Sequence, residues 1–298
     1  MAPTLPPSSH PQRSEMPTHE ELQQYVGRKM EFEDLITATQ VQKLNVTLDR
    51  SEPVPKSGDP VPPLWHHIFF PNLPLTCELK RDGMVPEIDN GPADPLPLRM
   101  FAGSRAAFHR SLRVGEQARQ VRELASIAAK EGRSGKLVFA TYRNTISTSA
   151  GVATVDDWDI VFREPPRDGV PPPPGQPAPQ GAVWKRTINP THVMLYRFSA
   201  VGFNPHRIHY DHPYTTRTEG YPELIVHGPL TAICLADLAR DHNPGATMTA
   251  FEMRAKAPLY ANQPFQVMGR PRDGGKACDL WALTPENTVA MDASATFA

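Results

Sequence analysis

Apolar and polar positions alternate in two separate stretches of the chain. Residues 111–164, "SLRVGEQARQVRELASIAAKEGRSGKLVFATYRNTISTSAGVATVDDWDIVFRE", carry alternating or β-branched runs broken by "KEGRSGK" and "SAGV". This is the pattern of a strand meander with tight turns. "GRSG" at 132–135 therefore reads as a hairpin turn and not as a phosphate loop. Residues 257–298, "APLYANQPFQVMGRPRDGGKACDLWALTPENTVAMDASATFA", repeat the order: a leucine, a polar turn, an apolar strand, a Gly-rich hairpin and two more strands. In this matching Leu112 stands opposite Leu259, Val121 opposite Met268 and Val155 opposite Val289. Between the stretches the period changes. In "VHGPLTAICLADLARDHNPG", Leu230, Ile233, Cys234 and Leu238 follow the i, i+3, i+4, i+8 spacing of a buried helical stripe. Gly228 stands where an N-cap is expected, Pro229 suits the first turn, and "NPG" at 243–245 stops the helix. The early segment "HEELQQYVGRKMEFEDL" is expected to be helical as well, so the chain reads as two similar α+β units.

Proline marks the divisions. Its 34 residues are about twice average usage. The run "REPPRDGVPPPPGQPAPQGAVW", 163–184, can form neither helix nor central strand, because proline removes backbone donors and fixes φ. Polyproline geometry makes such a stretch a semi-rigid strap of roughly 45 Å. The expected divisions are a loose tail at 1–16, a first domain at 17–164, the linker at 165–182 and a second domain at 183–298. A second proline-rich region, 51–98, is interrupted by "LWHHIFF" and reads as loop around packed aromatics.

Composition narrows the function classes. A net charge of −1, from 31 basic and 32 acidic residues, provides no field for a polyanion or an anionic membrane, so no nucleic-acid partner is expected. Three separated cysteines build neither a disulfide framework nor a zinc ribbon, which points to an intracellular, soluble protein. No apolar run approaches the roughly 18 residues that span a bilayer, and the N-terminus has no clear targeting signal.

The densest chemistry lies in "NPHRIHYDH", 204–212, which holds three of the 11 histidines. Two readings compete. The spacing His206-x-x-His209-x-Asp211-His212 falls one residue short of the HxHxDH pattern of metallo-β-lactamase-like hydrolases, with only His227 and His242 as further ligands. The extra residue turns one histidine to another face, so no metal is expected. The acid/base reading rests on histidine's titration range.

The surroundings favour the second reading. "YRFSAVGFNPHRIHYDHPYTTRTEGYPELIVHGPLTA", 196–232, resembles the hydratase motif of R-specific (MaoC-like) enoyl-thioester hydratases and dehydratases. Within that family, "FNPHRIHYD" at Phe203 to Asp211 is most similar to the hydroxyacyl-thioester dehydratase type 2 branch, which includes mesaconyl-type hydratases. "PPLWHHIFF", "PLPLRMFAGSRAAFHRSLRVGE" and "KEGRSGKLVFATYRN" resemble the same branch in the first half. The resemblance implies a double hot-dog fold, each half a long helix wrapped by a curved antiparallel sheet, with catalysis confined to the second half. It also implies reversible syn elimination of water from a 3-hydroxyacyl thioester, without metal or cofactor. Such chemistry needs a base beside the thioester and a donor for the developing oxyanion. By the resemblance, His209 is the acid/base, Gly228 the backbone donor at a helix start, Asn204 the group orienting hydroxyl or water, and Asp211 a support for the loop or for His209. Arg207, His206 and His227 are candidate substrate contacts. One departure stands out: the family's aspartate two residues before the asparagine is Gly202 here, leaving His206, Asp211 or water as partner for His209.

The expected ligand is an acyl thioester, of coenzyme A or of acyl carrier protein. The expected assembly is a monomer or homodimer, and the expected compartment the mitochondrion, by resemblance, or the cytoplasm. A hot-dog module that binds thioesters without turnover is the alternative of a different class, and a His/Asp metallohydrolase is the remaining one.

Overall fold

The computed structural model describes residues 18–84, 96, 98–132, 135–164 and 174–298. A short helix α1 (His19–Gln23) leads into β1 (Lys29–Leu35), α2 (Ala38–Thr47), β2 (Leu98–Phe108), β3 (Gln117–Gly132), β4 (Gly135–Thr148) and β5 (Gly151–Arg163). The second half runs β6 (Trp184–Ile188), α3 (His192–Val201), α4 (His212–Arg217), α5 (Gly228–Asp241), β7 (Met248–Ala255), β8 (Phe265–Arg272), β9 (Ala277–Leu283) and β10 (Val289–Phe297).

All ten strands form one antiparallel sheet in the order β1-β3-β4-β5-β2-β7-β10-β9-β8-β6. Read from either edge, the two halves have the same order, and they join where β2 pairs β7 from Gly103 opposite Arg254 to Ala107 opposite Ala250. The internal repeat is thus built into the sheet. Val121 and Met268 lie on β3 and β8, and Val155 and Val289 on β5 and β10, each pair holding the same place in its half.

The expected helix over 19–35 ends after five residues. Gly27 adopts φ 84°, and from Lys29 onward exposed and partly buried positions alternate with period two. Met30, Phe32 and Asp34 turn inward while Lys29, Glu31 and Glu33 face water, which makes β1 an edge strand guarded by charge. At the other end of the reading, Gly132 pairs with Gly135 as a hairpin, while Arg133 and Ser134 lie outside the described residues. So does the proline run at 165–173. Beyond it, Pro177 bridges Thr288 and Gln180 O accepts from Arg270, so the strap's end lies along the β8–β10 surface.

Helix α5 sits against the second half's sheet, and Leu230 to Ala239 are buried on all sides. It starts one residue earlier than expected. His227 is the N-cap, Gly228 the first helical residue and Pro229 the second. Among the described residues the first half has no counterpart of this helix. Its sheet face is instead covered by residues 61–70, where Val61, Leu64, Trp65, Ile68, Phe69 and Phe70 are buried. No described helix is long and apolar enough to cross a membrane.

Candidate active site

The loop after α3 is fixed from several directions. Thr191 caps α3 by accepting from Met194 N–H at 3.1 Å, and the helix ends at Gly202. Phe203 takes φ 50°, Asn204 N–H returns to Ser199 O at 2.8 Å, and Asn204 Oδ1 accepts from His206 N–H at 3.0 Å. Asn204's oxygen therefore shapes the turn, and its amide nitrogen has no partner among the described residues. The Arg207 guanidinium binds Asp211 Oδ2 at 3.0 and 2.7 Å and Arg81 O at 2.9 Å, and lies 4.0 Å from the centre of the Tyr214 ring. Asp211 Oδ1 accepts from Tyr214 N–H at 3.0 Å and caps α4. Arg207 and Asp211 thus anchor the loop, and Asp211 makes no hydrogen bond to His209.

His209 follows at the end of a 3₁₀ turn and is 7% exposed. Its Nδ1 lies 2.7 Å from Ile225 O, an acceptor only, so the neutral ring carries its proton there. Nε2 is left as the acceptor, the state a base requires. Burial pulls the pKa down from 6.5 to about 4, against the opposing pull of the Ile225 hydrogen bond. The described partner of His209 is therefore a backbone carbonyl, and neither His206 nor Asp211 hydrogen-bonds to it. At the family's aspartate position, a Cβ on Gly202 would meet only Phe198 O at 3.6 Å and His67 O at 3.8 Å.

Two further histidines surround the base. His227 stacks on it with ring centres 3.6 Å apart and 21° between planes, and its Nε2 lies 2.8 Å from Ser199 Oγ. His206 meets it edge to face at 5.4 Å. Desolvation first, then the charge His209 would carry, holds both well below the ordinary histidine range, and Arg99 and Lys80 add to this at His206. The remaining members of the cluster are turned elsewhere. His212 faces Glu223 at 3.4 Å and His242 stacks on Trp184. Of the residues the metallohydrolase reading needs, Asp211, His212 and His227 are thus engaged by Arg207, Glu223 and Ser199. Among the described residues, only His66, His67 and Asp156 bring three ligating atoms within 4.8 Å of one another. There Asp156 accepts from Ser104 Oγ and Trp158 Nε1, both at 2.6 Å, besides the two histidines.

The donor lies close by in sequence. Ile225 N–H binds Ile208 O at 3.0 Å and Val226 N–H binds Leu259 O at 2.8 Å, so a pinned three-residue step separates the carbonyl holding His209 from Gly228. The His227 side chain, engaged with Ser199, gives α5 no cap hydrogen bond. Gly228 N–H finds no acceptor among the described residues, and Pro229 has no N–H to offer. A 14-residue buried helix with an unsatisfied N-terminus presents positive potential to an incoming oxygen.

Among its described residues, the first half holds no equivalent of this histidine and helix start. Helices α2 and α3 have ten residues each and threonine N-caps, and each is followed by a positive-φ residue, Asp49 and Phe203. Arg50 N–H returns to Asn45 O as Asn204 N–H returns to Ser199 O. In this alignment Arg50 replaces Asn204 and Pro55 replaces His209. Arg50 is taken up by Glu52, Asp237 and Asp241.

Burial of these histidines has a thermodynamic consequence. His66, His206, His209 and His227 all have folded-state pKa values lowered, chiefly by desolvation. Below about pH 6.5 the unfolded chain takes up protons that the folded chain refuses, so stability present above that pH is lost on acidification. Each such group contributes up to about 1.4 kcal/mol per pH unit in this window, which for His209 closes near pH 4. Urea midpoints should fall steadily from neutral pH to about pH 5. A constant midpoint would contradict the burial assigned to these rings.

Comparison with known proteins identifies the family. Residues 64–261 match the family model for hydroxyacyl-thioester dehydratase type 2. The chain is 39% identical over 271 residues to mesaconyl-C(4)-CoA hydratase of Chloroflexus aurantiacus, covering 91% of this chain and 95% of that one. Among solved structures it resembles a MaoC-like dehydratase, with TM-score 0.68 at 15% identity, covering 91% of this chain and 98% of that one. It also resembles a Mycobacterium tuberculosis protein described as having a double hotdog fold, with TM-score 0.59 at 11% identity, covering 92% and 96%. With two strand-repeated halves, the motif at 203–211 and a family match over two thirds of its length, the chain belongs to the hydroxyacyl-thioester dehydratase type 2 family.

Proposed function

We propose that this chain catalyses the reversible hydration of a trans-2-enoyl thioester to a 3-hydroxyacyl thioester. The observation that carries this reading is the neutral, Nδ1-protonated His209 held beside the unsatisfied N-terminus of α5. In the hydration direction, His209 Nε2 takes a proton from water as its oxygen bonds to C3, and the C2–C3 π electrons move toward the thioester carbonyl. Negative charge accumulates on the carbonyl oxygen, where Gly228 N–H and the helix dipole stabilise it. The imidazolium then returns its proton to C2 on the same face. Dehydration is the reverse, with His209 taking the C2 proton and delivering it to the departing hydroxyl. Asn204, through its amide nitrogen, orients the water, and catalysis stays within 183–298 while the first half walls the site.

The test is the ultraviolet absorbance of crotonyl-CoA on addition of the protein. Loss of the enoyl band with formation of 3-hydroxybutyryl-CoA supports the assignment. Saturable binding of crotonyl-CoA with no product would instead support a thioester-binding module.

A further inference from the structure

The first half reaches the α5 N-terminus through Phe101 of β2. A Cβ built on Gly228 would lie 2.9 Å from Phe101 Cδ1 and 3.7 Å from its Cβ and Cγ, so the ring already rests against the glycine. A carbonyl accepting from Gly228 N–H stands about 2.9 Å from that nitrogen. C2 is two bonds from that oxygen and its substituents three, a span that brings them within reach of the same ring.

The ring is held in place. Trp158 meets Phe101 edge to face at 5.7 Å, and Trp158 is itself fixed by its N–H on Asp156 and by the Arg122 guanidinium 5.1 Å from its ring centre. Asp156 has no exposure and accepts from Ser104, His66 and His67 as well. Phe101 also packs against both the main core and the separate core of the first half. The ring is therefore braced from the interior side of the Gly228 N-terminus. A braced ring in this position cannot give way to added bulk.

Resting on the reading of Gly228 as the thioester donor, we infer that Phe101 is a specificity-determining residue that limits the size of the group at C2 of the acyl chain. Phe101→Ala opens this wall and Phe101→Leu opens it in part, while both leave the base and the donor residue in the chain.

The test uses saturated thioesters, which bind without reacting. Calorimetry with butyryl-CoA and 2-methylbutyryl-CoA gives a Kd ratio for wild type, Phe101→Ala and Phe101→Leu, each first checked for an unchanged fold by its thermal transition. One methyl group in an apolar pocket is worth roughly tenfold or more, so the preference for butyryl-CoA should fall by roughly tenfold in Phe101→Ala and by less in Phe101→Leu. A ratio unchanged in both variants, or no binding of either thioester by any of the proteins, would overturn the inference. Crotonyl-CoA turnover is measured on the same samples. Altered ratios without turnover would leave the wall in place and refute the hydratase reading, whereas turnover with unaltered ratios would do the reverse.

Discussion

Replacing His209 by alanine lowers kcat for crotonyl-CoA hydration by roughly 10² to 10⁴. The loss has one main source. Nε2 is the group that accepts the proton of the attacking water, and the described neighbours offer no substitute of the right kind. His227 has its Nε2 engaged with Ser199 Oγ, and the His206 ring stands edge to face with its centre 5.4 Å from that of His209. The carboxylate of Asp211 is bound to Arg207 and to the α4 N-terminus. KM should change much less than kcat, since the donor at Gly228 and the wall at Phe101 remain. In wild type the acid limb of kcat/KM should lie near pH 4, because burial has moved the base there. A kcat within a factor of about three of wild type in the alanine variant would remove His209 from the chemistry.

Asp156→Ala has the largest expected effect on stability, a loss of about 3–5 kcal/mol. The carboxylate is fully buried and receives four donors, from Ser104, Trp158, His66 and His67. Burial works to raise its pKa, but the hydrogen bonds from His66 and His67 overcome this and hold it far below the carboxylate range. Alanine leaves a cavity and four donors without an acceptor, those of Ser104 and His66 buried and those of His67 and Trp158 partly so, and each orphaned donor is costly. Asp156→Asn keeps the shape but not the charge and should lose less. The pH dependence follows in sign. A carboxylate whose folded pKa is depressed contributes fully above its unfolded value, about 3.9, and loses that contribution as pH falls below it. The gap between wild type and Asp156→Asn, read from urea midpoints, should therefore be widest near neutrality and narrow toward pH 3. A gap of less than about 1 kcal/mol for the alanine variant would mean that the network does not hold.

Much of this architecture was legible in the sequence because it rests on periodicity. The alternation in 111–164 and 257–298 became β3–β5 and β8–β10, and the stripe from Leu230 to Leu238 became α5. The failures have physical causes. The glutamate-rich segment at 19–35 has helix-forming composition, yet Gly27 at positive φ and the inward pair Met30 and Phe32 favour a strand docked on β3. Gly228 looked like an N-cap because glycine is common at helix ends, but proline is accommodated at the second position of α5 as well as the first, and the boundary moved by one residue. In the candidate site, the motif from Phe203 to Asp211 pointed to His209 and Asn204. The partner of His209 was hidden, since any residue at 225 would present the same carbonyl. Ser199 and Phe101 were hidden for another reason: their contacts join residues far apart in sequence and depend on helix docking and on the junction of β2 with β7. The Asp156 network spans separations of 52 to 90 residues to Ser104 and His66, beyond any spacing rule.

The most direct test of His209 as the residue that moves the proton is hydration of crotonyl-CoA in deuterium oxide, followed by NMR of the product. The expected product is (3R)-3-hydroxybutyryl-CoA carrying one deuterium at C2, on the same face as the new hydroxyl, with formation lost in His209→Ala. Deuterium on the opposite face, or release of free coenzyme A with C2 unlabelled, would contradict it.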